Sequence, residues 1–140
     1  MDKTKGRNVD ITIVSRQGDP EQEGWLIEKT AAGKLFVDHA TATLAYREED
    51  GLTTLTVKDN QVLMRRQGEN RLRLEFISGQ TTAARLRTSY GDISLDCFTR
   101  QIRHQMRAEE GRLELDYVLS QPGGTAPETK FSLAYRIQNL

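Results

Sequence analysis

The sequence predicts an all-β chain folded as a closed antiparallel barrel. Two observations carry that reading. One is a two-residue beat of apolar side chains, seen at Leu72-Leu74-Phe76, Ile93-Leu95-Cys97, Ile102-His104-Met106, Leu113-Leu115-Tyr117-Leu119 and Phe131-Leu133-Tyr135-Ile137. Side chains on a strand point alternately to opposite faces, so a period of two means one face buried and one solvated. The other is the regular spacing of turn residues between these runs, which is the pattern of a meander. A sheet with one buried face and this many strands closes most economically on itself.

Taken in order, the predicted strands are 8–16, 23–30, 33–38, 41–48, 52–58, 61–67, 70–77, 81–88, 92–100, 101–108, 112–120 and 129–138. Turns are expected at Gly18-Asp19-Pro20, Ala32-Gly33, Asp50-Gly51, Asp59-Asn60, Gly68-Glu69, Ser78-Gly79, Gly91, Gly111 and Pro122-Gly123-Gly124. Asp, Asn and Gly tolerate the positive φ of tight hairpins. Residues 92–108 contain no internal Gly or Pro and could form one long bent strand. Arg100–Glu110 is the best helical window by propensity, but Ile102, His104 and Met106 also alternate, and both flanks read as strand. Residues 121–128 form the expected mobile loop and 1–7 the expected frayed end.

With 140 residues, a single domain spanning 1–140 is expected. Lysine plus arginine equals 20, as does aspartate plus glutamate, so the net charge is zero and gives no electrostatic case for nucleic acid or an anionic membrane. No 18-residue apolar run exists to form a spanning helix. The charged N-terminal residues do not read as a secretory signal, and the single cysteine, Cys97, suits a reducing cytoplasm.

Several short stretches carry a resemblance. They are Leu44-Ala45-Tyr46-Arg47-Glu48-Glu49, then Arg66-Gln67-Gly68 with Phe76 and Gly79, then Thr88-Ser89-Tyr90-Gly91-Asp92-Ile93 through Thr99 to Gly111-Arg112-Leu113-Glu114-Leu115-Asp116-Tyr117. Their order and spacing, from about Val9 to Ile137, resemble the YwiB-like family of small bacterial proteins of unknown function. The resemblance implies a calycin-like (lipocalin-type) antiparallel barrel of 8–10 strands with little helix, in a bacterial cytoplasm. It implies no activity. Leu86 stands where such proteins often carry tyrosine, and the Pro-Gly-Gly loop is this chain's own.

Alternation also selects the residues that could carry chemistry. It turns Arg66 inward with Val62 and Met64, and Tyr46 and Glu48 inward with Leu44. Together with His104, Tyr117 and Tyr135 they make an interior too polar to be a plain core. An eight-stranded barrel either fills with side chains or holds one small ligand. A guanidinium at the mouth suits a carboxylate or phosphate, whereas a Glu48–Arg66 pair would plug that end, as buried charges usually do. Tyr46, Glu48, Arg66, His104 and Tyr117 are therefore the candidate ligand-binding residues, with Trp25 as a lid or plug.

The leading expectation is a non-enzymatic binder of a small, partly apolar ligand. The alternative is a filled barrel acting as a protein-interaction or homodimeric scaffold through exposed apolar residues such as Phe98 and Val118. His39 reads as a turn residue, His104 as a core histidine bonded to backbone or tyrosine, and Cys97 as a small buried hydrophobe. No metal or cofactor is expected, because residues 39, 97 and 104 show no ligand spacing. No catalytic residues are assigned. The arginines at 71, 73, 85, 87, 103 and 107 should face outward and pair with Glu75, Asp92, Asp96, Glu114 and Asp116.

Overall fold

The inward beat is realised in ten strands: β1 (Arg7–Gln17), β2 (Trp25–Asp38), β3 (Thr41–Glu48), β4 (Gly51–Lys58), β5 (Gln61–Gly68), β6 (Arg71–Ile77), β7 (Thr81–Thr88), β8 (Gly91–Met106), β9 (Glu110–Ser120) and β10 (Glu128–Ile137). The computed structural model describes residues 6–18, 25–49 and 51–138, apart from the Trp25 side chain. Each strand pairs antiparallel with its sequence neighbours, and β1 closes the barrel by pairing with β10 from Val9↔Ile137 to Gln17↔Thr129. Closure leaves no free sheet edge. The predicted Asp19-Pro20 turn, the Trp25 lid and the frayed residues up to Lys5 lie outside the described part, while Arg7 already belongs to β1.

Two predicted boundaries disappear. Strands 23–30 and 33–38 are one strand, because Gly33 is not a turn residue. It lies inside β2, opposite Tyr46, where a Cβ would come within 2.6 Å of the Ala45 carbonyl oxygen and 2.7 Å of Ile11 Cδ1. Glycine is needed there for close approach, which in sequence looks the same as a turn. Gly111 likewise sits within β9, where a Cβ would meet the Tyr135 ring at 2.4 Å.

Strands 92–100 and 101–108 are also one strand. The register of β8 against β9 shifts between Thr99 and Gln101. This bulge leaves Arg100 and Gln101 outside in succession and returns Ile102 to the interior opposite Leu115. A bulge bends its strand and strengthens the twist, which helps a sixteen-residue strand follow the wall.

The core runs along the barrel axis. Val9, Ile11 and Ile13 of β1 meet Leu44, Leu55, Val62, Leu74, Phe76, Cys97, Leu113, Leu115 and Leu133, all buried. Phe76 and Tyr117 make an edge-to-face contact with ring centroids 4.9 Å apart. Burying each large apolar side chain contributes about 1.5–3 kcal/mol, so this column dominates the stability of the fold. Each of five surface clefts, from the one bounded by Arg65, Arg73 and Arg85 to the one bounded by Ala32, Phe36 and Leu52, is lined mainly by outward-facing side chains.

Candidate functional site

Tyr46, Thr53 and Arg66 form one inward row across β3, β4 and β5, since Thr53 is the register partner of both others. Glu48 lies two residues further towards the same end of the barrel. Its carboxylate is held on both sides, with Arg66 Nη2 2.8 Å from Oε2 and Lys29 Nζ 3.1 Å from Oε1. The Glu48 side chain is 12% exposed, against 36% for Arg66 and 44% for Lys29. The acid is therefore the inner member, and the two cations reach it from the rim. The triad carries one net positive charge.

Lys29 did not emerge from the sequence. Once β2 is continuous through Gly33, residues 35, 33, 31 and 29 share the inward parity, and Lys29 follows directly. A predicted turn at Ala32-Gly33 breaks that count.

Tyr46 is buried beneath the triad. Burial raises its phenol well above the ordinary range, and the Glu48 carboxylate adds to this, while Arg66 and the Thr53 hydroxyl pull the other way. The phenol stays neutral at any physiological pH. Tyr117, close enough to Tyr46 to feel its charge, is pushed up to about 12 by burial and then by Cys97. Tyr46, Glu48, Arg66 and Tyr117 are thus brought to one region of the interior.

His104 is not. It points inward on the far half of β8, opposite Leu113, and its Nε2 lies 2.7 Å from the Asp59 carbonyl oxygen in the β4–β5 turn. That turn lies at the opposite end of β4 and β5 from Glu48 and Arg66. The histidine ties β8 to this turn, which is the backbone-bonded role the sequence suggested. Tyr135 is at that end too, with its hydroxyl donating to the Arg107 carbonyl.

Cys97 is buried, and burial pushes its thiol up against the opposing pull of the Thr99 and Thr82 hydroxyls. A protonated, enclosed thiol is no nucleophile. His39 occupies the β2–β3 turn at φ 38°, 3.7 Å from Asp38. Among the described residues, no three His, Cys, Asp or Glu side chains gather as a metal ion requires.

At the triad end some inward-facing apolar side chains stay open to solvent. Ile27 and Ile93 are each 43% exposed, and Leu72, Leu86 and Leu119 are half-buried. The barrel is therefore packed through its middle and shallowly dished at this rim.

The outer wall departs from the sequence expectation. Arg87 pairs with Asp92 at 3.2 Å, as predicted. Glu75 instead accepts a hydrogen bond from Gln61. Arg73 faces Arg65 on one side and Arg85 on the other, and Arg71 faces Arg87. The ladder between β6 and β7 has three rungs, Arg71↔Arg87, Leu72↔Leu86 and Arg73↔Arg85, so two of the three are arginine opposite arginine.

Comparison with known proteins agrees with this fold. Residues 11–133 match the family described as a domain of unknown function, DUF1934. The chain is 30% identical over 105 residues to the uncharacterised β-barrel protein YwiB of Bacillus subtilis (strain 168), which covers 72% of each chain. The crystal structure of the ywiB protein from Bacillus subtilis superposes with a TM-score of 0.87 at 22% identity, over 98% of this chain and 96% of that one. Neither the family description nor the relative's name carries an enzymatic activity. On a family match from Ile11 to Leu133 and a barrel of the same shape, the chain belongs to the DUF1934 family of β-barrel proteins of unknown function.

Proposed function

We infer that this protein is a non-enzymatic cytoplasmic binding module that works from the outside of a filled barrel. The observation that carries this reading is the double engagement of Glu48 by Lys29 and Arg66. The guanidinium best placed to recognise an anion inside the mouth is already committed to a carboxylate. Beneath it the interior is occupied by Tyr46, Tyr117 and Phe76. The five clefts described above all open on the outside of the barrel, which makes the outer wall the better-supported working surface. That wall offers charged clefts and the adjacent pair Phe98 and Val118, an apolar contact that suits a second copy of the chain.

The leading sequence expectation, a partly apolar ligand in the mouth, keeps one supporting observation. Ile27 and Ile93 face inward at the triad end and remain 43% exposed. A fluorescent fatty-acid-like probe separates the two readings. The outer-wall reading predicts no saturable binding in the micromolar range, which corresponds to about 8 kcal/mol. Saturable binding that Arg66→Ala abolishes would put the function in the mouth.

A further inference from the structure

We propose that the arginine ladder on β5, β6 and β7 is a binding face for single-stranded nucleic acid, with Arg65, Arg71, Arg73 and Arg85 on the phosphates and Tyr90 stacked on a base. The proposal rests on the outer-wall reading above and names the partner.

Arg65, Arg73 and Arg85 stand side by side on three adjacent strands, and Arg71 and Arg87 form a second row one step along. With strands about 4.8 Å apart and about 6.8 Å between same-face neighbours, the five arginines spring from a patch of backbone of about 10 by 7 Å. All five are exposed. Like charges directly opposite one another destabilise a sheet. The chain does little to relieve this. Asp92 takes Arg87, Glu75 is bonded to Gln61, and Asp96 stands opposite Ala83. Among the described residues, Arg65, Arg71, Arg73 and Arg85 meet no carboxylate. The chain's net charge of zero is an average that hides this local excess.

The arginines border a cleft of about 560 Å³ on the outer wall, floored where the β6–β7 ladder ends after Arg73↔Arg85 and where the small side chain Ala83 leaves room. A cleft lined by one sign of charge concentrates counter-ions of the other sign. An extended array of separate guanidinium groups matches a chain of phosphates better than a single small anion, which would engage one or two of them.

The second ingredient of single-strand binding is an aromatic platform. Tyr90 is 99% exposed at the tip of the β7–β8 turn, just beyond Arg87. Its backbone N–H donates to Thr88 Oγ1 at 3.1 Å, and that hydroxyl donates to the Gly91 carbonyl at 2.9 Å. The turn is braced while the ring touches nothing that would explain a tyrosine there.

The test is a fluorescence titration of the full chain with a labelled 20-mer of oligouridine between 50 and 200 mM salt. Four phosphate contacts on a single strand give a slope of about −2.8 in log affinity against log salt, so binding should weaken about 50-fold over that range. The double variant Arg73→Gln with Arg85→Gln should lower that slope by about 1.4 while melting no earlier than the parent. Tyr90→Ala should weaken binding about five-fold or more at unchanged slope. Equal affinity of the parent and the double variant would overturn the proposal, as would the absence of saturable binding at 50 mM salt. Displacement of the oligonucleotide by polyglutamate at matched charge would also overturn it, pointing to an acidic polypeptide and leaving the outer-wall reading intact. Failure to bind oligonucleotide together with uptake of the fatty-acid-like probe would overturn both.

Discussion

Arg73 on β6 stands directly opposite Arg85 on β7, at the last rung of the shortest ladder in the barrel. Two guanidinium groups at that separation repel, and no described carboxylate intervenes. Arg85→Glu converts the repulsion to attraction. It should raise stability by about 0.5–1 kcal/mol, read as a shift in the urea midpoint at constant slope. A loss of stability would mean that the ladder is not under electrostatic strain.

The Glu48–Arg66 pair is only part-buried, and Glu48 keeps Lys29 when Arg66 is removed. Arg66→Met should therefore cost about 1–2 kcal/mol, between the values for exposed and fully buried pairs. Glu48→Leu in the same background should recover part of it. A double-mutant cycle with coupling near zero would show that the contact has no energetic weight.

Register has its own check at two neighbouring positions. Leu74 is buried in the core, while Arg73 points outward. Leu74→Asp should unfold the protein, since an unpaired buried carboxylate costs several kcal/mol, comparable to a small domain's stability. Arg73→Asp should be neutral or mildly stabilising. Equal damage from both would put β6 out of register.

Acid should first strengthen and then weaken the fold. The Asp116 carboxyl is pushed up to about 6 by burial and then by the neighbouring Glu128, against the pull of Lys130 and Arg100. Glu128 is held below its ordinary value, first by the hydrogen bond from Asp116 and further by Arg100. Asp116 is bound to its proton more tightly when folded, so its share of stability grows as the pH falls through about 6. The share of Glu128 is present above its ordinary 4.5 and is lost as the pH falls through its lower folded value. The denaturant midpoint should rise between about pH 7.5 and pH 5 and drop in stronger acid. Asp116→Asn should flatten the first limb. A monotonic decline from pH 7.5 in the parent would contradict the carboxyl pair.

The alternation was legible because one face of every strand is buried, and this fixes side-chain parity without any tertiary knowledge. The inward placement of Tyr46, Glu48, Arg66 and Tyr117 followed from it. Four things did not. Gly33 reads as a turn because a close backbone approach and a tight bend ask for the same residue, and that hid Lys29. The Thr99/Gln101 bulge left a trace, the switch from odd inward positions 93, 95 and 97 to even ones at 102, 104 and 106, in a run without Gly or Pro. His104 was grouped with Arg66 because parity tells which face a side chain occupies but not how far along the barrel it lies. Cross-strand partners such as Arg73 and Arg85 depend on register, which composition does not carry.

The central claim is that the barrel is filled and acts from its outer wall. Native mass spectrometry of the protein, purified gently from its own cells, tests this most directly. The account predicts that no apolar small molecule accompanies the chain in stoichiometric amount. A stoichiometric apolar adduct, present in the parent and absent from Arg66→Ala, would contradict it and assign the function to the mouth.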